Sequence, residues 1–180
     1  RVDVSKHEQV EALAAATQAR FGAPHWVFNN AGVGSGGLIW ENTLKDWEWV
    51  MGVNVMGVVY GVKAFTPMML ERAKAELDYR GCIINTASMA GMLNAPTMGV
   101  YNVSKHAVVS LTETLYQDLK LVSDQVTASV LCPYFIATGI AQSHRSRPAE
   151  LKNDEGPTLS QLVAQAQTSK AVTSGKVTAA

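Results

Sequence analysis

Three short apolar runs, "WVFNNAG" at 26–32, "GCIINTAS" at 81–88 and "VTASVLCP" at 126–133, alternate with long stretches of helical periodicity. Runs this short, rich in β-branched residues, fit strands buried in a sheet, and intervening helices have the length that parallel crossovers need. The chain is thereby restricted to an α/β fold: a doubly wound parallel sheet covered on both sides. It opens on "RVDV", which reads as the tail of a strand, and stops at "GKVTAA" with no final strand. The expectation is one partial domain over 1–180, lacking its N-terminal phosphate-binding unit and C-terminal strand.

Local signals place the helices. Ser5 with Glu8 fits a capping box, followed by Val10, Leu13, Ala14, Thr17 and Phe21 at helical spacing up to "GAP" at 22–24. Thr43 opens a long helical stretch over 44–77, bent near Gly52–Asn54 and again at Pro67. Val108, Leu111, Leu115, Leu119 and Val122 form the stripe of a helix after the second strand. A polar loop over 138–157 and an amphipathic segment after it read as a lid, 138–170, within the same domain.

Composition excludes several partners. Fifteen basic and fifteen acidic residues cancel, so no net field draws nucleic acid or an anionic membrane. The longest apolar stretch, "VNVMGVVYGVKAF", is interrupted by Asn54 and Lys63 and reads as too short to span a bilayer. Cys82 and Cys132 each sit in an apolar run and read as buried free thiols, not a disulfide or a metal site. A reducing cytoplasm fits, and no signal-peptide pattern is present.

"YNVSKHAVVSLTETLYQDLK", at 101–120, holds Tyr-x-x-x-Lys twice, as Tyr101 with Lys105 and Tyr116 with Lys120. Five tyrosines and nine lysines in 180 residues give this spacing by chance in roughly one such chain in four, so spacing alone decides nothing. Position decides. In open parallel sheets ligands bind beyond the carboxyl ends of the strands, where the following helices begin. Tyr101 and Ser88 lie at that edge, while Tyr116 is roughly 22 Å farther along the helix. An ammonium about 4 Å from the Tyr101 phenol is worth roughly 4 kcal/mol at an effective dielectric near 20, enough to lower its pKa by up to about three units. With Ser88 bonding a substrate oxygen, such a pair suits general acid–base chemistry. Tyr116 and Lys120 read as a half-buried aromatic beside a solvated charge.

Taken in order, "NNAG" at 29–32, the Asn54 of "GVNVMGV", the Ser88 that closes "INTAS" and "YNVSK" at 101–105 resemble the classical short-chain dehydrogenase/reductase family. The resemblance covers nearly the whole chain and implies a Rossmann-like NAD- or NADP-dependent oxidoreductase interconverting a secondary alcohol and a ketone. It implies Tyr101 as general acid/base, Lys105 as the group that lowers its pKa and binds the nicotinamide ribose, and Ser88 as the residue orienting substrate. Asn54 would interrupt its helix and hold a water joining Lys105 to solvent; read without the family, Asn54 is a bending or capping residue. Asp3 and Val4 resemble adenine contacts, Asn30, Ala31 and Gly32 line the cofactor's ribose side, and Ile136 and Thr138 resemble carboxamide contacts. Family members also pair the helices matching 54–77 and 101–122, which implies a homodimer or homotetramer.

The chain departs from that pattern in lacking the Gly-rich phosphate turn, in carrying Tyr134 where the family has Gly, and in extra residues around "ERAKAELDYRG". "GVGSGG" at 32–37 matches G-x-G-x-x-G but does not open directly into a helix, so it reads as a loop bordering the substrate pocket. Gly57 and Gly61 read as close helix packing and the four tryptophans as packing anchors. "HRSRP" at 144–148 reads as solvated lid, with a carboxylate-bearing substrate as the alternative. Two further readings remain at this point: a non-catalytic nucleotide-binding or scaffold protein of the same fold, and an extended-branch epimerase or dehydratase.

Overall fold

A computed structural model of the chain describes residues 1–134, 136, 138–154 and 161. Helix α1 spans His7–Phe21, strand β1 Trp26–Asn29, helix α2 Leu44–Met51, helix α3 Gly57–Ala75, strand β2 Gly81–Thr86, helix α4 Gly99–Lys120 and strand β3 Val126–Leu131. The three strands form one parallel sheet in the order β1-β2-β3, with Val27 beside Ile83 and Ile83 beside Ala128. All crossovers run through helices, as parallel pairing requires.

The period-2 pattern of the strands sets the layers. Val27, Ile83, Val126 and Ala128 point at one face, where they pack with Ala14 of α1, Phe65, Met69 and Ala73 of α3 and Leu119 of α4. Trp26 (66% exposed) and Phe28 (62%) point the other way. Among the described residues the helices therefore cover one face of the sheet, where the sequence implied cover on both. The extra residues after α3 fold back beneath the sheet: Tyr79 is buried and its hydroxyl donates to the Pro24 carbonyl.

Several local expectations hold. Thr43 and Asp46 form the reciprocal capping box of α2, and the bend at Gly52–Asn54 is a π-helical turn over Gly52–Met56, with the Gly57 N–H reaching back five residues to the Gly52 carbonyl. Gly57 and Gly61 mark close approach: a methyl at Gly61 would fall 2.1 Å from Asn29 Oδ1. Others fail. "RVDV" is not a strand, and the Asp3 carboxylate takes the Ser5 N–H (3.0 Å) and hydroxyl (2.8 Å) in a local turn, so Lys6 becomes the N-cap and no side chain caps α1. Of its expected stripe only Val10 and Ala14 are buried, and Val122 lies past the end of α4, 67% exposed. Asn54 and Lys63 do not interrupt the helical run: Leu44–Ala75 is long and apolar enough to cross a membrane by length and composition alone. Here one side of it is packed, with Asn54, Val58, Phe65 and Met69 buried.

Candidate active site

The head of α4 meets the ends of β1 and β2 around Asn54. Being fully buried, the Asn54 amide must find partners. Its Oδ1 accepts from the Val33 N–H (2.8 Å), and its Nδ2 donates to the Val33 carbonyl (2.9 Å) and to Ser104 Oγ (2.9 Å). Ser104 passes its own proton to the Tyr101 carbonyl (2.7 Å). One amide, carried by the π-turn, thus fastens the loop after β1 to the first turn of α4.

Tyr101 and Lys105 sit one turn apart, 8% and 3% exposed. Lys105 Nζ lies 5.6 Å from the centroid of the Tyr101 ring and donates to the Thr86 carbonyl (2.8 Å). Ser88 begins a 3₁₀ turn over Met89–Gly91, where its Oγ accepts from the Ala90 N–H (3.1 Å), and its side chain neighbours the Tyr101 phenol. The four residues of the expected catalytic set are therefore gathered at one sheet edge.

The expected depression of the Tyr101 phenol is not found. Burial pushes its pKa up, opposed by the polar Ser88 side chain beside it. Burial likewise draws Lys105 down, to about 8, with the nearby Cys132 acting the other way. The physical reason is that low dielectric favours the neutral form of each partner, and the ammonium is aimed at the Thr86 carbonyl instead of the phenol oxygen.

The remaining expected cofactor contacts divide into four groups. Val4, Asn30 and Ala31 line one cavity of about 370 Å³, together with Val2, Val53 and Gly57. Gly32 borders the catalytic residues: a methyl there would lie 3.5 Å from Lys105 Nζ and 3.6 Å from Asn54 Oδ1. Ile136 is exposed, and Thr138 caps the next 3₁₀ turn by accepting from the Ile140 N–H, so neither joins the network around Asn54. Asp3 is exposed and occupied by Ser5.

Sequence reasoning missed Thr86, whose carbonyl anchors Lys105 and whose hydroxyl donates to Asn30 Oδ1 (2.9 Å). Its only signal is a strand-end position two residues before Ser88. It also missed how the described part of the lid is fixed. Arg147 Nη1 donates to Asp46 Oδ1 (2.6 Å), Asn153 Nδ2 donates to both Asp46 oxygens, and Ser143 Oγ pairs with both backbone groups of Gly34. Residues 155–160 and 162–170 of the expected lid lie outside the described residues. Tyr116 is 37% exposed with Lys120 Nζ 4.9 Å from its ring centroid, a solvated pair remote from this edge. Both cysteines are free and half-buried.

Known proteins share this fold. The family model for short chain dehydrogenases matches residues 1–149. A CLA biosynthesis dehydrogenase/reductase of Lactiplantibacillus plantarum is 35% identical over 155 residues, which cover 86% of this chain and 52% of that protein. The crystal structure of a short chain dehydrogenase/reductase from Burkholderia phymatum in complex with NAD superposes with a TM-score of 0.84 at 54% identity, over 98% of this chain and 61% of that one. A gluconate 5-dehydrogenase from Burkholderia cenocepacia, in complex with NADP and tartrate, gives 0.70 at 30% identity over 83% of this chain and 55% of that one. The chain spans about half the length of the curated relatives it matches. With the ordered residues Asn54, Ser88, Tyr101 and Lys105 converging at one sheet edge, the family match shows that the chain belongs to the short-chain dehydrogenase/reductase family.

Proposed function

We propose that the protein is an NAD- or NADP-dependent oxidoreductase that interconverts a secondary alcohol and a ketone, with Tyr101 as general acid/base. The observation that carries this reading is the burial of Tyr101 and Lys105 at the head of α4, with the Ser88 side chain neighbouring the phenol. When bound, a nicotinamide cofactor supplies or accepts the hydride. The residues present suit it: the Gly32 backbone leaves room beside Lys105, and Val4, Asn30 and Ala31 border one cavity. Similar structures with NAD and with NADP support both coenzymes.

Ser88 holds the substrate oxygen against the Tyr101 hydroxyl. In reduction the phenol, kept neutral by burial, donates its proton to the carbonyl oxygen; in oxidation the phenolate receives the proton of the alcohol. Lys105, with a pKa of about 8, changes charge close to neutral pH while its ammonium is held by the Thr86 carbonyl. The Asn54 amide is committed to Val33 and Ser104, so a water joining Lys105 to solvent would rest on the backbone of the π-turn. Pairing of α3 and α4 into a homodimer or homotetramer and a cytoplasmic location belong to the same proposal; light scattering that gives a monomer would remove the first.

The test is turnover by the full-length protein. Tyr101→Phe and Lys105→Ala should lower kcat by roughly 10²-fold or more, the range of a lost general acid–base group. Tyr116→Phe and Lys120→Ala should leave it unchanged. Wild-type turnover in Tyr101→Phe would refute the assignment.

A further inference from the structure

Three segments leave the strand ends on the side of Ser88 and Tyr101, and none carries a charged side chain. Residues 32–40, 87–100 and 131–143 contain no Asp, Glu, Lys, Arg or His, in a chain that is 17% charged. Backbone bonds tie the segments to one another. The Gly37 N–H donates to the Thr97 carbonyl (2.9 Å), and Ile39 lies so close to Gly99 that a methyl there would be 2.7 Å from its side chain. The Met89 N–H donates to the Pro133 carbonyl (3.0 Å), which joins the Ser88 turn to the segment after β3.

These segments present large apolar side chains to solvent: Ile39 (48% exposed), Trp40 (76%), Met92 (61%), Leu93 (53%), Tyr134 (82%) and Ile136 (61%). So much exposed apolar area next to a catalytic dyad marks a binding surface. Arg147, which "HRSRP" offered as an anion contact, is already neutralised by Asp46 and stacks 4.9 Å over the Trp49 ring. Arg145 is exposed and lies against Gly139 of its own turn.

We propose that the site takes an uncharged alcohol or ketone with bulky apolar substituents, held by the rim of Ile39, Trp40, Met92, Leu93, Tyr134 and Ile136. This rests on the oxidoreductase reading above and names its substrate class. The three segments contribute no cation of their own to a carboxylate or phosphate, whereas each methylene buried on the rim adds transfer free energy.

The experiment uses the full-length protein with saturating NAD⁺ or NADP⁺, whichever calorimetry shows to bind. Initial rates are measured on 2-butanol, 2-hexanol, 2-octanol, 1-phenylethanol and 3-hydroxybutyrate. The value of kcat/KM should rise roughly fourfold per methylene along the aliphatic series until the rim is filled, and 1-phenylethanol should exceed 3-hydroxybutyrate by about 50-fold. Leu93→Glu should flatten the series, and Arg145→Ala should leave it intact. A flat wild-type series, or preference for 3-hydroxybutyrate, would overturn the substrate class alone. Cofactor binding with no turnover of any of these alcohols or their ketones would overturn the oxidoreductase reading, and the class with it.

Discussion

Removing the Arg147 guanidinium by Arg147→Met should cost the full-length protein about 3 kcal/mol of stability. Arg147 and Asp46 are 10% and 7% exposed at a separation of 2.6 Å, so the pair is largely shielded from water. Burial alone would raise the Asp46 carboxyl, but the bonds from Arg147, Thr43 and Asn153 outweigh it and hold the pKa below the usual carboxylate range. Breaking such a pair from one side costs about 3–5 kcal/mol, because the remaining charge stays buried. Thr43 and Asn153 still solvate Asp46 in the variant, which sets the lower end. At roughly 2–4 °C per kcal/mol for a domain of this size, the melting temperature should fall by about 6–12 °C. Asp46→Asn with Arg147→Met should be less damaging than the sum of the two single changes, since neither charge is then stranded. Because the folded pKa of Asp46 is depressed, its contribution is complete above the unfolded value of 3.8 and is lost as pH falls through the lower folded value. Calorimetry at pH 7 checks the magnitude, and a Tm change below about 2 °C in Arg147→Met would refute the buried-pair argument.

Lys105 gives the opposite pH signature. Its pKa falls from 10.5 to about 8 on folding, so charging it opposes folding by on the order of 3 kcal/mol below pH 8, and that cost is relieved as pH rises toward 10.5. Urea unfolding of wild type against Lys105→Met should show the wild type gaining stability between those values; parallel curves would contradict it. Gly61→Ala puts a methyl 2.1 Å from Asn29 Oδ1 and must break the Asn29–Asn85 side-chain bond, so a loss of about 1–3 kcal/mol is expected. An unchanged denaturation midpoint would show that the helix and strand can separate without cost.

The parts of this molecule legible in the sequence are those in which neighbours along the chain settle the outcome. Thr43 finds Asp46 three residues on, Tyr101 shares a face with Lys105, and glycines flank the bend before Asn54, so local geometry suffices. Ser5 misled because Asp3, two residues earlier, outcompeted the helix for its N–H. The anchor of Lys105 is the backbone carbonyl of Thr86, and a carbonyl has no letter in a sequence. The lid clasp was hidden for another reason: Asp46 and Arg147 are 101 positions apart, and nothing local says which of the many possible charge pairs the fold will bury. The direction of the Tyr101 shift depended on burial of both partners, which spacing cannot report.

The π-turn at Gly52–Met56 has a consequence best stated in genetic terms. It acts as a helix with one codon too many, and the wide turn absorbs the surplus between α2, whose Trp49 and Val50 pack with Val100 of α4, and α3, whose Phe65 and Met69 lie on the sheet. Deleting a single codon there would restore ideal α-helical bonding and leave the flanking helices nearly in phase, because the wide turn already absorbs the extra residue. Such an in-frame deletion improves the helix while withdrawing Asn54 from Val33 and Ser104. The irregular turn is thus protected from repair by the two partners of one amide.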